Sequence, residues 1–176
     1  MKCILISGSP RKGNTEFVLS EIFKGIKGEK EFVLLKELKF NHCKGCCACY
    51  KTGECVIDDD MKLLFNKLLW ADVIILGSPL YYGNVSGLTK QFIDRTIPAY
   101  ESKSLKDKYL ISIVVGGGKV TVTEKFHKQS IEGFIKFNLL NLIGLYNFEA
   151  FEDDDLKKDP NSKEQINNII KNINSL

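Results

Sequence analysis

Four short apolar runs constrain this chain more than any other feature. Cys3-Ile4-Leu5-Ile6 stops at Ser7-Gly8-Ser9-Pro10, and Val73-Ile74-Ile75-Leu76 stops at Gly77-Ser78-Pro79. Tyr109 to Val115 stops at Gly116-Gly117-Gly118, and Phe32-Val33-Leu34-Leu35 lies inside residues 31–38. None alternates apolar with polar positions, so each reads as a strand covered on both faces. Between them the period changes to that of a helix. Phe17, Val18, Ile22, Phe23 and Ile26 give a helix from Thr15 to about Ile26. Asp58-Asp59-Asp60 offers caps for a helix running to Trp70. Leu88 to Ile97 is a helix ended by Pro98, and Val122 to Ile143 a long helix with a bend at Gly133. Tyr146 to Phe151 reads as a fifth, weaker strand, and Ser162 to Ile173 as a closing helix striped by Ile166, Ile169, Ile170 and Ile173.

Strand and helix thus alternate five times, which predicts an α/β fold with a parallel sheet and helices on both faces. The count fits the flavodoxin-like doubly wound fold with strand order 2-1-3-4-5. A chain of 176 residues, 44% hydrophobic, makes one domain over 1–176 with a real core, and excludes a disordered class. The net charge is +3 with no basic run, which argues against a nucleic-acid partner. No stretch of about 18 apolar residues exists, so no membrane span is expected. The N-terminus reaches glycine too early for a signal peptide, so a cytoplasmic location is expected.

In such a sheet, ligands sit beyond the carboxyl ends of the strands. The first loop, Gly8-Ser9-Pro10-Arg11-Lys12-Gly13-Asn14-Thr15, opens a helix whose N–H groups suit a phosphate. Ser9, Asn14 and Thr15 add hydrogen bonds, and Arg11 adds charge. Asn14 stands where a P-loop requires lysine, and no dinucleotide fingerprint is present, so a monophosphate such as that of FMN fits better. The loop after the third strand, Pro79-Leu80-Tyr81-Tyr82-Gly83-Asn84, can wall a flat ring. The glycines around Gly117 let backbone approach a ligand closely.

Five of six cysteines fall in residues 43–55, a loop inserted after the second strand, while Cys3 reads as a small buried hydrophobe. Cys43, Cys46, Cys49 and Cys55 form C-x2-C-x2-C-x5-C. Ferredoxin loops wrap a [4Fe–4S] cluster with this close spacing, whereas zinc sites pair distant knuckles. The alternatives are a reduced loop without a cluster, zinc, or a disulfide. Cys47 is either an inert neighbour or a replacement for Cys46 or Cys49, and His42 is read as a surface residue. The acidic triplets 58–60 and 153–155 are assigned to capping and solvated charge. His127 lies in a helix without an evident partner.

Gly8-Ser9-Pro10-Arg11 with Asn14-Thr15, Ala71-Asp72, Gly77-Ser78-Pro79-Leu80-Tyr81-Tyr82 and Lys90-Gln91-Phe92-Ile93-Asp94-Arg95 resemble, in order and spacing, the NADPH-dependent FMN reductase family. The likeness covers residues 1 to about 120. It implies a flavodoxin-like fold, FMN as cofactor and a homodimer or homotetramer. It places phosphate contacts at Ser9, Arg11, Asn14 and Thr15, and ring contacts at Pro79 to Asn84 and Gly117. Asp94-Arg95 is assigned to structure or a subunit contact. The cysteine pattern is similar to that of the iron–sulfur flavoproteins, a branch of the same family, which implies that Cys43, Cys46, Cys49 and Cys55 hold the cluster.

The expected function is an FMN-dependent oxidoreductase whose cofactor carries the chemistry, so no catalytic side chain is assigned. It would move electrons from a ferredoxin-like donor through cluster and flavin to a small-molecule acceptor. The alternatives are a cluster-free reductase of FMN or quinones using NAD(P)H, and a non-catalytic thiol or metal sensor on the same scaffold.

Overall fold

The computed structural model describes residues 1–176. The elements run β1 (Lys2–Ser7), α1 (Asn14–Gly25), β2 (Glu29–Leu34), a 3-10 turn (Leu35–Glu37), α2 (Cys49–Thr52), α3 (Met61–Trp70), β3 (Val73–Tyr81) and β4 (Asn84–Val85). They continue with α4 (Gly87–Asp94), α5 (Ile97–Ser102), β5 (Tyr109–Gly116), α6 (Val120–Asn138), β6 (Asn141–Glu149), α7 (Asp155–Lys158) and α8 (Pro160–Asn174). Five strands pair in parallel in the order β2-β1-β3-β5-β6. Counting parallel strands alone, this is the expected order 2-1-3-4-5. The two-residue β4 is an addition that folds back antiparallel on the end of β3.

Successive strand residues point to opposite faces, and both faces are covered. Ile4, Ile6, Ile74 and Leu76 pack with Met61, Leu64 and Leu68 of α3, Phe92 of α4, and Ile131 and Phe134 of α6. Leu5, Ile75, Ile111 and Ile113 pack with Val18, Leu19 and Ile22 of α1 and with Ile166, Ile169 and Ile173 of α8. Two apolar layers are the reason the runs do not alternate. Cys3 is buried in the second layer, and burial pushes its thiol up to about 11.

The structure corrects several boundaries. The second strand ends at Leu34, and residues 35–37 turn as a 3-10 segment. The long helix stops at Asn138 instead of Ile143, because Leu139 takes a left-handed conformation (φ 53). The last strand accordingly starts at Asn141. Pro98 opens α5 rather than ending the helix before it, a position where its missing N–H costs nothing. His127 does have partners. It is fully buried, with Nε2 at 2.8 Å from Ser112 Oγ and Nδ1 at 3.1 Å from Asn147 Oδ1.

Candidate functional site

The loop from Gly8 to Gly13 joins the carboxyl end of β1 to α1. No side chain caps the helix, and its first backbone bond runs from Phe17 N–H to Gly13 O. The N–H groups of Asn14, Thr15 and Glu16 therefore remain at the positive end of the helix. Ser9 and Thr15 are buried, and the Ser9 hydroxyl donates to Arg11 O at 2.7 Å, which closes the loop. The Asn14 amide is already engaged. Its Nδ2 donates to Glu152 O (2.8 Å) and its Oδ1 accepts from Leu156 N–H (3.4 Å). Asn14 thus pins the loop to the segment leading into α7, and its main-chain N–H is left for an anion. Arg11 pairs with Asp153 at 2.9 Å, both exposed, a contact weak enough to yield to a phosphate.

The ring loop is a tight hairpin. Tyr82 (φ 50) and Gly83 (φ 73) both take positive φ between the paired residues Tyr81 and Asn84, which is the type I′ pattern. The turn leaves Tyr82 fully exposed. A Cβ on Gly83 would lie 2.9 Å from Phe126, and one on Gly117 would lie 2.7 Å from Phe151. Gly116 faces Leu80, so the ends of β3 and β5 meet here. Phe126 and Phe151 were not singled out in the sequence because both stand far along the chain from the loops they flank. Free N–H groups at a helix start, beside exposed aromatic walls, fit a flat phosphorylated ring.

Both loops are anchored on the start of α4. Ser86 accepts from Thr89 N–H as the N-cap, at 3.0 Å, and its hydroxyl donates to Gly8 O at 2.6 Å. Its own N–H and the Thr89 hydroxyl both donate to Ser78 Oγ at 3.0 Å. Gly8, Ser78, Ser86 and Thr89 are all buried.

The cysteines of residues 43–55 follow β2 and the 3-10 turn in the chain. Cys43, Cys46, Cys47, Cys49 and Cys55 line a single cavity together with Asp94, Arg95, Ile97 and Pro98. All are free thiols. Burial raises the Cys49 thiol above its ordinary value, and Cys55, Cys43 and Cys46 add to the rise. No three His, Cys, Asp or Glu side chains converge on a point that would hold one metal ion. A cubane distributes its thiolates over four irons, so a set of four thiols around one cavity suits the cluster in donor type and number. Cys47 has positive φ (57), and its thiol donates to Gly45 O at 3.4 Å. His42 is exposed, as expected.

Arg95 holds this loop at both ends. Its Nη1 donates to Asn41 O (2.6 Å) and Asp59 Oδ2 (2.8 Å), and its Nη2 to Asp59 Oδ1 (2.9 Å). Asp59 also accepts from the N–H groups of Asn41 and Met61. The pattern of the triplet 58–60 predicts caps and solvated charge, yet Asp59 is a buried ion-pair partner, its side chain only 6% exposed. Burial works against both charges. The mutual hydrogen bonds outweigh it, so Asp59 falls below the usual carboxylate range and Arg95 rises above the usual guanidinium value.

Residues 1–127 match the family of NADPH-dependent FMN reductases. An iron-sulfur flavoprotein of Methanocaldococcus jannaschii is 39% identical over 135 residues, covering 72% of this chain and 70% of the relative. Two iron-sulfur flavoproteins of Archaeoglobus fulgidus are 39% and 43% identical, covering 66% and 67% of this chain but only 60% and 56% of the relatives. Among solved structures, a flavone reductase superposes with a TM-score of 0.70 at 22% identity, over 99% of this chain and 61% of that one. An NADPH-quinone reductase from P. pentosaceus gives 0.65 at 15% identity, over 97% and 94%. The structural likenesses establish the fold, and the sequence matches establish kinship. The chain belongs to the NADPH-dependent FMN reductase family of flavin-dependent oxidoreductases, with iron-sulfur flavoproteins among its relatives.

Proposed function

We propose that the chain is a single FMN-binding domain acting as an iron–sulfur flavoprotein, which takes electrons from a ferredoxin-like donor and delivers them to a small acceptor. The observation that carries this reading is the single cavity lined by Cys43, Cys46, Cys49 and Cys55. When bound, FMN supplies electron transfer singly or in pairs, and a [4Fe–4S] cluster supplies one-electron carriage. The chain's own residues do the rest. The free N–H groups of α1, the Thr15 hydroxyl and Arg11 hold the phosphate. Pro79 to Asn84 and Gly117 hold the ring, with main-chain groups at its polar edge. Ser78, Ser86 and Thr89 keep these loops in place without touching the ligand.

A second reading is a cluster-free reductase using NAD(P)H. It is favoured by the match of residues 1–127 to the NADPH-dependent FMN reductases. Protein purified under strict anaerobiosis decides between them. Flavin absorption with about four iron and four sulfide per chain supports the first reading. Flavin absorption without iron, together with NADPH oxidation, supports the second. Absence of flavin overturns both and favours a thiol sensor.

A further inference from the structure

Arg95 carries more than an ion pair. It is 2% exposed, and both its Nη nitrogens donate, Nη1 to Asn41 and Asp59 and Nη2 to Asp59. Its third donor, Nε–H, is buried and has no acceptor. A buried donor without a partner is costly, and native proteins seldom leave one. The same side chain lines the cysteine cavity together with Cys55. A neutral thiol is a weak acceptor, whereas a thiolate ligand is a strong one.

We propose that Arg95 is a positioning residue for the cluster: it fixes both ends of the cysteine loop and aims its free Nε–H at the sulfur of Cys55. The inference rests on the cluster reading above. Because Asp59 compensates the guanidinium, the pair brings little net charge, and its action is local. Ligand sulfurs that accept hydrogen bonds favour the reduced cluster, so the donor raises the reduction potential. Lysine cannot replace arginine here, since it has neither the fork for Asp59 nor the fixed third donor.

The test uses full-length wild type, Arg95→Lys and Asp59→Asn, each reconstituted anaerobically with iron and sulfide. Iron, sulfide and FMN contents, the rate of cluster loss to a chelator, and the cluster midpoint are read on the same samples. In Arg95→Lys we expect wild-type FMN content, cluster loss about 10-fold faster, the usual scale for an outer-shell partner, and a negative midpoint shift. In Asp59→Asn the guanidinium is freed of its carboxylate, and the midpoint shifts positive. Opposite shifts separate this role from a merely structural one, which would weaken both variants alike. Wild-type loss rates and midpoints in Arg95→Lys overturn the inference, as does a shift of the same sign in both variants. If Arg95→Lys also loses FMN, the sign in Asp59→Asn decides alone. Wild type that takes up no iron overturns the cluster reading and this inference with it.

Discussion

A methyl group at position 8 has no space to occupy. Its carbon would stand 1.7 Å from Thr89 Oγ1, and Thr89 is fixed by bonds to Ser78 and Ser86. Gly8→Ala should therefore lower stability by about 2 kcal/mol, within the range for overpacked sites, and weaken FMN binding as well. Denaturant midpoints and a flavin titration measure the two effects. His127 governs a different property. Burial pushes it down to about 4 from 6.5, with the Asn147 bond opposing. The unfolded chain thus takes up the proton first as pH falls. The neutral ring's contribution is whole above pH 6.5 and is lost progressively as pH drops toward 4, up to about 3 kcal/mol. His127→Gln should flatten that part of the stability–pH curve. Neither Ser112 nor Asn147 was legible as a partner, because they come from β5 and β6, and only the folded sheet brings them under α6.

At the level of elements, α4 is the piece on which the site depends. Eight residues of helix span about 12 Å. One end is sewn to Gly8 and Ser78, and Arg95 follows directly at the other. Ser86→Ala removes the cap of α4 and the bond to Gly8 O together, so it should cost about 1–2 kcal/mol by chemical denaturation and raise the dissociation constant of FMN. The three buried central strands were readable because their runs are apolar on both faces and stop at glycine or serine. The junction of α6 and β6 was not. Leu139, Leu140, Leu142 and Ile143 continue the apolar pattern, and nothing local announces the left-handed residue that breaks the helix. Pro98 misled for the opposite reason, since the same ring that ends one helix can begin the next. The four cysteines are legible by spacing and Arg95 as a structural residue, but its partner is not, since Asp59 lies 36 positions away in an acidic triplet that reads as caps and solvated charge.

Seen as a whole, the molecule places its two candidate cofactor loops on different supports. The phosphate loop stands on α1, which packs with α8 on one face of the sheet. The cysteine loop hangs between Phe40 and α3, which pack with α4 and α6 on the other face. Ile169→Ala, a large-to-small change in the first layer, should cost about 3 kcal/mol. It should speed hydrogen exchange in α1 before it touches residues 40–60, and Phe134→Ala should do the reverse. Exchange mapped residue by residue would show equal acceleration on both faces if the layers were coupled. The sheet then acts as a bulkhead. A lesion on one side is felt first by the loop that side supports, the one at residues 8–13 or the one at residues 43–55.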